Sequence, residues 1–143
     1  MSSSRLTRPV LVSLLTLVPL SSVPAHSAAA QPACDPAGRV MNSLFNRPAG
    51  AKRVCSGRKY TAYAAEIQQY HSLGVRFEIW TAPEGQASRT FELTLKAKLR
   101  QFGYHASQTL SNGDVKYNHV QGRGVRVSRW TERNNRYWML FMY

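Results

Sequence analysis

The chain has 143 residues, of which 43% are hydrophobic, and it carries 19 Lys and Arg against seven Asp and Glu, for a formal net charge of +12. This length excludes more than one domain of ordinary size. The charge raises the local concentration of any polyanion, although a basic surface also serves solubility and does not by itself select a ligand.

The first thirty residues have the pattern of a secretory signal. Arg5 and Arg8 precede a short apolar run over 10–18, and a run of alanines supplies a small-residue cleavage site. The apolar run is too short for the roughly 20 residues of a membrane helix. An uncleaved anchor is the alternative, and a lipoprotein is disfavoured because no leucine lies three places before Cys34. We predict a signal peptide over 1–30 and a secreted or periplasmic protein.

Both cysteines, Cys34 and Cys55, follow the predicted leader. In an oxidising compartment they predict a structural disulfide, whose loop of about 22 residues would contribute about 3 kcal/mol to stability. A redox or metal role would need a closer cysteine pair or neighbouring histidines, which this region lacks. We predict a loop-rich, disulfide-closed segment over 31–59, with a short helix only at Arg39–Phe45, and then an α+β domain over 60–143.

Two helices and one strand are predicted in the first half of that domain. Tyr60–His71 places its apolar residues on one helical face and ends at Leu73-Gly74, with a strand as the alternative. Val75–Thr81 alternates and predicts a strand with one buried side. Gln86–Phe102 is the clearest helix. Its apolar stripe consists of Ala87, Phe91, Leu95, Leu99 and Phe102.

The remaining sequence predicts an antiparallel meander. Its four strands are Tyr104–Leu110, Val115–Val120, Val125–Thr131 and Tyr137–Tyr143. Asn112-Gly113 favours a two-residue hairpin turn. The last strand is apolar on both faces, so we expect it inside the sheet and covered on each side. The predicted fold class is α+β, with one main amphipathic helix packed on an antiparallel sheet of about five strands that ends in a four-stranded meander.

Alternation along the meander assigns its side chains to two faces. The face toward the helix is predicted to carry Tyr104, Ala106, Leu110, Val115, Tyr117, Val125 and Val127. The opposite face is predicted to carry His105, Ser107, Thr109, Lys116, Asn118, Arg126, Ser128 and Trp130. Arginine offers a planar fork to phosphate and tryptophan a stacking surface, whereas an ordinary solvated sheet face has a similar composition. The predicted binding residues are Lys116, Asn118, Arg126, Ser128 and Trp130.

Candidate catalytic residues are the histidines beyond the leader, His71, His105 and His119. Two histidines with a cation can cleave RNA by acid–base catalysis. The predicted faces separate His105 from His119, although a register error of one residue would reunite them. The arginines around Trp130 and Trp138 favour an arginine stacked on an indole ring. We predict no metal and no cofactor, because no histidine and acidic residue have a spacing typical of ligands.

Three hypotheses for function follow. The favoured one is a small exported, non-enzymatic binding module that contacts an anionic polymer or surface, such as nucleic acid, a wall polymer or lipid head groups. The alternative is a secreted phosphodiester hydrolase, similar in chemistry to a ribonuclease, that uses His105 or His119. A second alternative is a structural or protein-binding envelope protein whose exposed aromatic residues contact a partner.

Overall fold

The computed structural model describes residues 33–143, so the predicted leader lies outside the described residues. The strands form one antiparallel sheet in the order β1-β2-β6-β5-β4-β3. They are β1 (Lys52–Arg53), β2 (Arg76–Pro83), β3 (Tyr104–Thr109), β4 (Val115–His119), β5 (Gly124–Glu132) and β6 (Asn135–Met142). The helices are α1 (Val40–Ser43), α2 (Arg58–Gln68) and α3 (Gln86–Gln101), with a 3-10 turn at His71–Leu73. The α+β class is confirmed, with six strands instead of about five.

The last strand, β6, lies between β2 and β5 and is covered on both faces, as its sequence predicted. Trp138 and Leu140 are buried on the α3 side, where the rings of Trp138 and Phe91 lie 4.4 Å apart. Met139 is buried on the opposite side with Ile67 of α2. The two helices therefore cover opposite faces of the sheet at its centre.

The prediction that β2 has only one buried side is wrong. Phe77 and Ile79 are buried on the α2 side, but Trp80 and Ala82 are equally buried on the α3 side. The Trp80 ring lies 6.0 Å from that of Phe91. Because β2 lies beneath both helices, neither of its faces is open to water.

The sequence located both long helices. The segment from Tyr60 is helical and not extended, with Tyr60 and Tyr63 in ring contact with Phe77 at 5.4 and 6.2 Å. After α2, the 3-10 turn at His71–Leu73 ends at Gly74, which has a φ of 76° and takes the left-handed conformation. The predicted stripe of α3 is confirmed: Phe91, Leu95 and Leu99 are buried, and Ala87 and Phe102 pack against the same core.

The segment before β1 differs from a regular short helix. Met41 and Asn42 in α1 have left-handed backbone angles, with φ of 52° and 53°, so the expectation of an ordinary helix there is wrong. Successive residues in such conformations direct their N–H groups toward a common point and form a site for an anion. The predicted Cys34–Cys55 disulfide is confirmed, with Cα atoms 5.5 Å apart.

The anion in this site is the carboxylate of Glu78, a β2 residue that is only 3% exposed. The backbone N–H groups of Met41 and Asn42 donate to it at 2.9 and 2.6 Å, and the Trp80 indole N–H donates at 2.9 Å. Arg53 adds an ion pair at 3.7 Å. Four groups therefore compensate the burial of one charge, and they attach the N-terminal segment to the sheet.

The hairpin turn between β3 and β4 differs from the type that the sequence predicts. The predicted two-residue turn at Asn112-Gly113 is wrong: the N–H of Leu110 bonds the carbonyl of Asp114 at 2.8 Å, and only Gly113 of the predicted pair has a positive φ. The two-residue turn occurs instead between β5 and β6, where Arg133 and Asn134 have φ of 49° and 60°. Both angles suit the turn that matches the twist of paired strands.

Replacement of Glu78 by alanine should destabilise the protein strongly. The change leaves Arg53 without its carboxylate and removes the acceptor of three hydrogen bonds, so we expect the free energy of unfolding to fall by about 3 kcal/mol. Glu66→Ala is the matched control, because Glu66 is exposed on α2. Urea unfolding of both variants measures the difference, and equal losses would contradict the proposed role of Glu78.

Candidate functional site

The α2 side of the sheet is covered over only part of its width. Ile67 of α2 is buried against the β2 and β6 side chains Phe77 and Met139. On β3, β4 and the first half of β5, this side carries polar and charged residues that keep contact with water. We call this surface the open face, and it consists of His105, Gln108, Lys116, Asn118 and Arg126.

A β-bulge determines which β3 residues belong to the open face. His105 pairs with Asn118, but the register then shifts, so that Gln108 pairs with Lys116. The predicted assignment of Thr109 to this face is therefore wrong, since Thr109 pairs with Val115. Ser107 lies within the bulge, and its hydroxyl donates to the backbone carbonyl of Lys116 at 3.2 Å.

Lys116 and Arg126 form the centre of the open face. They are direct cross-strand partners on β4 and β5, and each is partly exposed. Like charges directly opposite one another destabilise a sheet. Within residues 33–143, no carboxylate forms an ion pair with Lys116. The structure therefore has two cations directly opposite each other on neighbouring strands.

The Asp114 carboxylate partly compensates Arg126. Its Oδ2 lies 3.8 Å from the Arg126 Nε, which is an ion-pair distance but too long for a hydrogen bond. The Ser128 hydroxyl donates to the same oxygen at 2.7 Å. The Arg126 guanidinium also lies over the Phe141 ring at 5.0 Å. Asp114 and Phe141 thus position the Arg126 side chain at the surface. The predicted binding residue Ser128 uses its hydroxyl for a hydrogen bond to Asp114 within the protein.

Asn118 is exposed at the end of the open face, beside His105. Its cross-strand partner on β5 is Gly124, and the Tyr143 ring occupies the space where a side chain on Gly124 would lie. Asn118 itself is exposed, so its amide is accessible as a donor and acceptor. Of the predicted binding residues, Lys116, Asn118 and Arg126 lie together on this surface.

Trp130 lies farther along β5, roughly 13 Å from Arg126 at about 3.3 Å per residue. Its ring stacks on Tyr137 at 5.2 Å with only 7° between the planes. The Lys59 ammonium lies 4.3 Å from the centre of the Trp130 ring. The predicted stacking partner, an arginine of the β5–β6 region, is thus wrong, because a lysine of α2 takes that position.

A pocket of about 290 Å³ adjoins this aromatic pair. Trp130 and Tyr137 line it together with Arg58 and Lys59 at the start of α2, and Glu132 also contributes. The Trp130 indole N–H is buried and has no acceptor among the described residues. This end of β5 is therefore cationic and aromatic, with Trp130 only partly exposed.

Of the three candidate catalytic histidines, His71 lies in the 3-10 turn, and His105 and His119 lie on opposite faces of the sheet, as the alternation predicted. His105 pairs with Asn118 and His119 with Tyr104, which are successive positions of one ladder. The His119 ring contacts the Tyr104 ring at 5.0 Å, and its Nδ1 accepts the N–H of Gln121 at 3.0 Å. His105 and His119 therefore do not form a pair of the kind that a ribonuclease mechanism uses.

Carboxylates on the α3 side neutralise several of the remaining cations. Glu92 accepts hydrogen bonds from Lys96 at 2.9 Å and Arg129 at 2.8 Å, and Arg136 lies 3.9 Å away. Burial alone would raise the pKa of Glu92, but the Lys96 hydrogen bond and the charges of Lys96, Arg129 and Arg136 together hold the pKa below its usual value. Arg136 also pairs with Glu84 at 3.1 Å.

Comparisons with protein-family models, with curated proteins and with solved structures find no match for this chain. Within residues 33–143, no helix has the length and apolar character to cross a membrane. The same residues contain no group of three or more His, Cys, Asp or Glu placed to hold a metal ion.

Removal of the Glu92 charge should lower stability in a pH-dependent way. Because the folded state holds the Glu92 pKa below its unfolded value of about 4.3, the ionised carboxylate stabilises the protein above that pH. We expect Glu92→Gln to lower the free energy of unfolding at pH 7 by about 0.5–1 kcal/mol. The difference from the unmodified protein should shrink as pH falls below about 4 and through the folded pKa.

Thermal or urea unfolding at pH 7 and at low pH measures this effect. Glu66→Gln is the control, since Glu66 is an exposed acid on α2. A constant difference between Glu92→Gln and the unmodified protein over the whole pH range would contradict the stabilising role of the Glu92 charge.

Proposed function

We propose that this protein is an exported, non-enzymatic module that binds an anionic polymer through its open face. The observation that supports the proposal most directly is the cross-strand pair of Lys116 and Arg126. This pair costs stability in the free protein, because like charges face each other. A bound polyanion would neutralise both charges and remove that cost.

The remaining groups of the open face suit the backbone of such a polymer. Arg126 offers its planar fork to phosphate, sulfate or carboxylate, and Lys116 offers a point charge. The amides of Gln108 and Asn118 add neutral donors on either side. Because these groups contact charge and not a particular base or sugar, the expected binding depends on charge density more than on sequence.

Cations near Trp130 extend the interface along the sheet. Lys52 pairs with Thr81, which in turn pairs with Tyr137, so Lys52 belongs to the same cross-strand row as Trp130. Arg58 and Lys59 are exposed beside this row. A flexible polyanion that crosses the open face toward Trp130 would therefore meet a second group of positive charges.

Export is the second part of the proposal. The predicted leader over 1–30 supports it, and the Cys34–Cys55 disulfide is compatible with an oxidising compartment. The hydrolase alternative receives no support from the histidines, since His105 and His119 lie on opposite faces. We therefore assign His105 only to the binding surface.

Lys116→Glu should weaken polyanion binding and increase stability at the same time. The change replaces a like-charge pair with an opposite-charge pair across β4 and β5, so we expect a gain of about 0.2–1 kcal/mol in the free energy of unfolding. The affinity for a single-stranded oligonucleotide or a sulfated polysaccharide should fall about tenfold at low salt, with a shallower dependence on salt.

Fluorescence anisotropy across a salt series measures this affinity, and intact RNA after incubation checks for cleavage. Arg89→Glu is the control with the same charge change on the exposed surface of α3. Equal losses of affinity in the two variants would assign the binding to net charge alone and contradict the role of the open face. Cleaved RNA would instead favour the hydrolase.

A further inference from the structure

A second cleft lies where α1, the 3-10 turn, the start of β5 and the end of β6 meet, and neither Lys116 nor Arg126 lines it. Its volume is about 550 Å³. The apolar part of its lining consists of Met41, Leu44, Leu73, Tyr104, Met142 and Tyr143. This volume is in the range of sites that hold small molecules.

The rim of the cleft carries large apolar side chains that are exposed to solvent. Leu73 is 74% exposed and Tyr143 is 44% exposed, which places both among the most exposed large hydrophobic side chains of residues 33–143. Tyr70, 43% exposed, precedes the 3-10 turn that carries Leu73. Exposed apolar side chains grouped at a concave site, unlike single ones scattered over a surface, indicate a binding site.

Two arginines add positive charge to this apolar cleft. Arg76 and Arg123 both line it, and no acidic residue does. Arg123 donates to the neutral amide of Gln121 at 2.7 Å. In the part of the chain that the structure describes, neither arginine forms an ion pair with a carboxylate. The nearby Glu78 is held by its own partners, among them Arg53.

Several backbone groups around the cleft are already hydrogen-bonded within the protein and cannot pair with a bound peptide. Gly124 and Tyr143 bond each other through both N–H and carbonyl groups, and the N–H of Gly74 bonds the carbonyl of His71. The N–H groups of Leu44 and Leu73 are also bonded, to carbonyls of the preceding turn. A peptide that binds by adding a strand needs unpaired backbone groups at a sheet edge, and these residues do not provide them.

We propose that this cleft binds a monomeric anionic amphiphile, with a single alkyl chain along Leu73, Met142 and Tyr143 and a phosphate or carboxylate head group held by Arg76 and Arg123. The apolar lining removes the alkyl chain from water, and the arginines supply planar donors for the head group. The site is separate from Lys116 and Arg126, so it does not depend on the polymer-binding function.

Titration calorimetry of the full chain with decyl phosphate, kept below its micellar concentration, tests the proposal. Decanol and inorganic phosphate serve as probes of the tail and the head group alone. We expect saturable binding of decyl phosphate at one site, weaker binding of decanol, and no measurable binding of phosphate. Binding only to anionic phospholipid vesicles, or only to an acidic peptide, would overturn the assignment.

Five variants locate the site. Leu73→Asp should reduce the affinity for decyl phosphate at least about tenfold, and Arg123→Gln about fivefold. The matched controls are Leu93→Asp and Arg89→Gln on α3, where Leu93 is 69% exposed, and both should bind like the unmodified protein. Lys116→Glu should also bind decyl phosphate like the unmodified protein. Equal effects of Leu73→Asp and Leu93→Asp would refute the cleft as the binding site.

Discussion

The burial of both faces of β6 is the constraint on which the rest of the structure depends. Trp138 and Leu140 must be covered on one side and Met139 on the other, so the chain supplies α3 for the first and α2 for the second. The 16-residue α3 is the longer helix, and α2 is limited to 11 residues. Because α2 is the shorter helix, β3, β4 and part of β5 are not covered on the α2 side.

The distribution of acidic residues then decides where positive charge remains. Glu92 and Glu84 compensate Arg129, Arg136 and Lys96 on the α3 side, and Glu78 compensates Arg53 inside the protein. Among residues 33–143, the carboxylate beside the open face is that of the buried Asp114, and it forms an ion pair with Arg126 but none with Lys116. The result is an uncompensated cation at Lys116 beside a partly compensated one. Like charges directly opposite each other weaken strand pairing, so this arrangement departs from the local rules of sheet stability. Such departures concentrate at functional sites.

Local periodicity predicted much of this architecture. Three features depend only on residues close in sequence: the apolar stripe of α3, the alternation of β5 and the apolar character of both faces of β6. The local pattern was therefore sufficient to predict these elements and their buried faces. The same alternation separated His105 from His119 and placed Lys116 with Arg126. The pairing of Cys34 with Cys55 followed because the chain has no other cysteine.

The remaining features depend on contacts between distant residues. The bulge at Ser107 depends on pairing with β4, and it changes the face of Thr109 without any signal in the local pattern. Glu78 lies 37 residues from the Met41 N–H that it accepts, and no periodicity links the two. For the same reason, no local pattern indicates that α2 brings Lys59 over Trp130.

We propose that the open face, and not the basic surface as a whole, contacts the polyanion. The most direct test is a two-dimensional amide NMR titration of the protein with a short single-stranded oligonucleotide. We expect the largest chemical-shift changes at the amides of Lys116, Asn118 and Arg126, followed by those of Arg58 and Lys59. Changes centred on Arg89 and the rest of α3, or spread evenly over all basic residues, would contradict it.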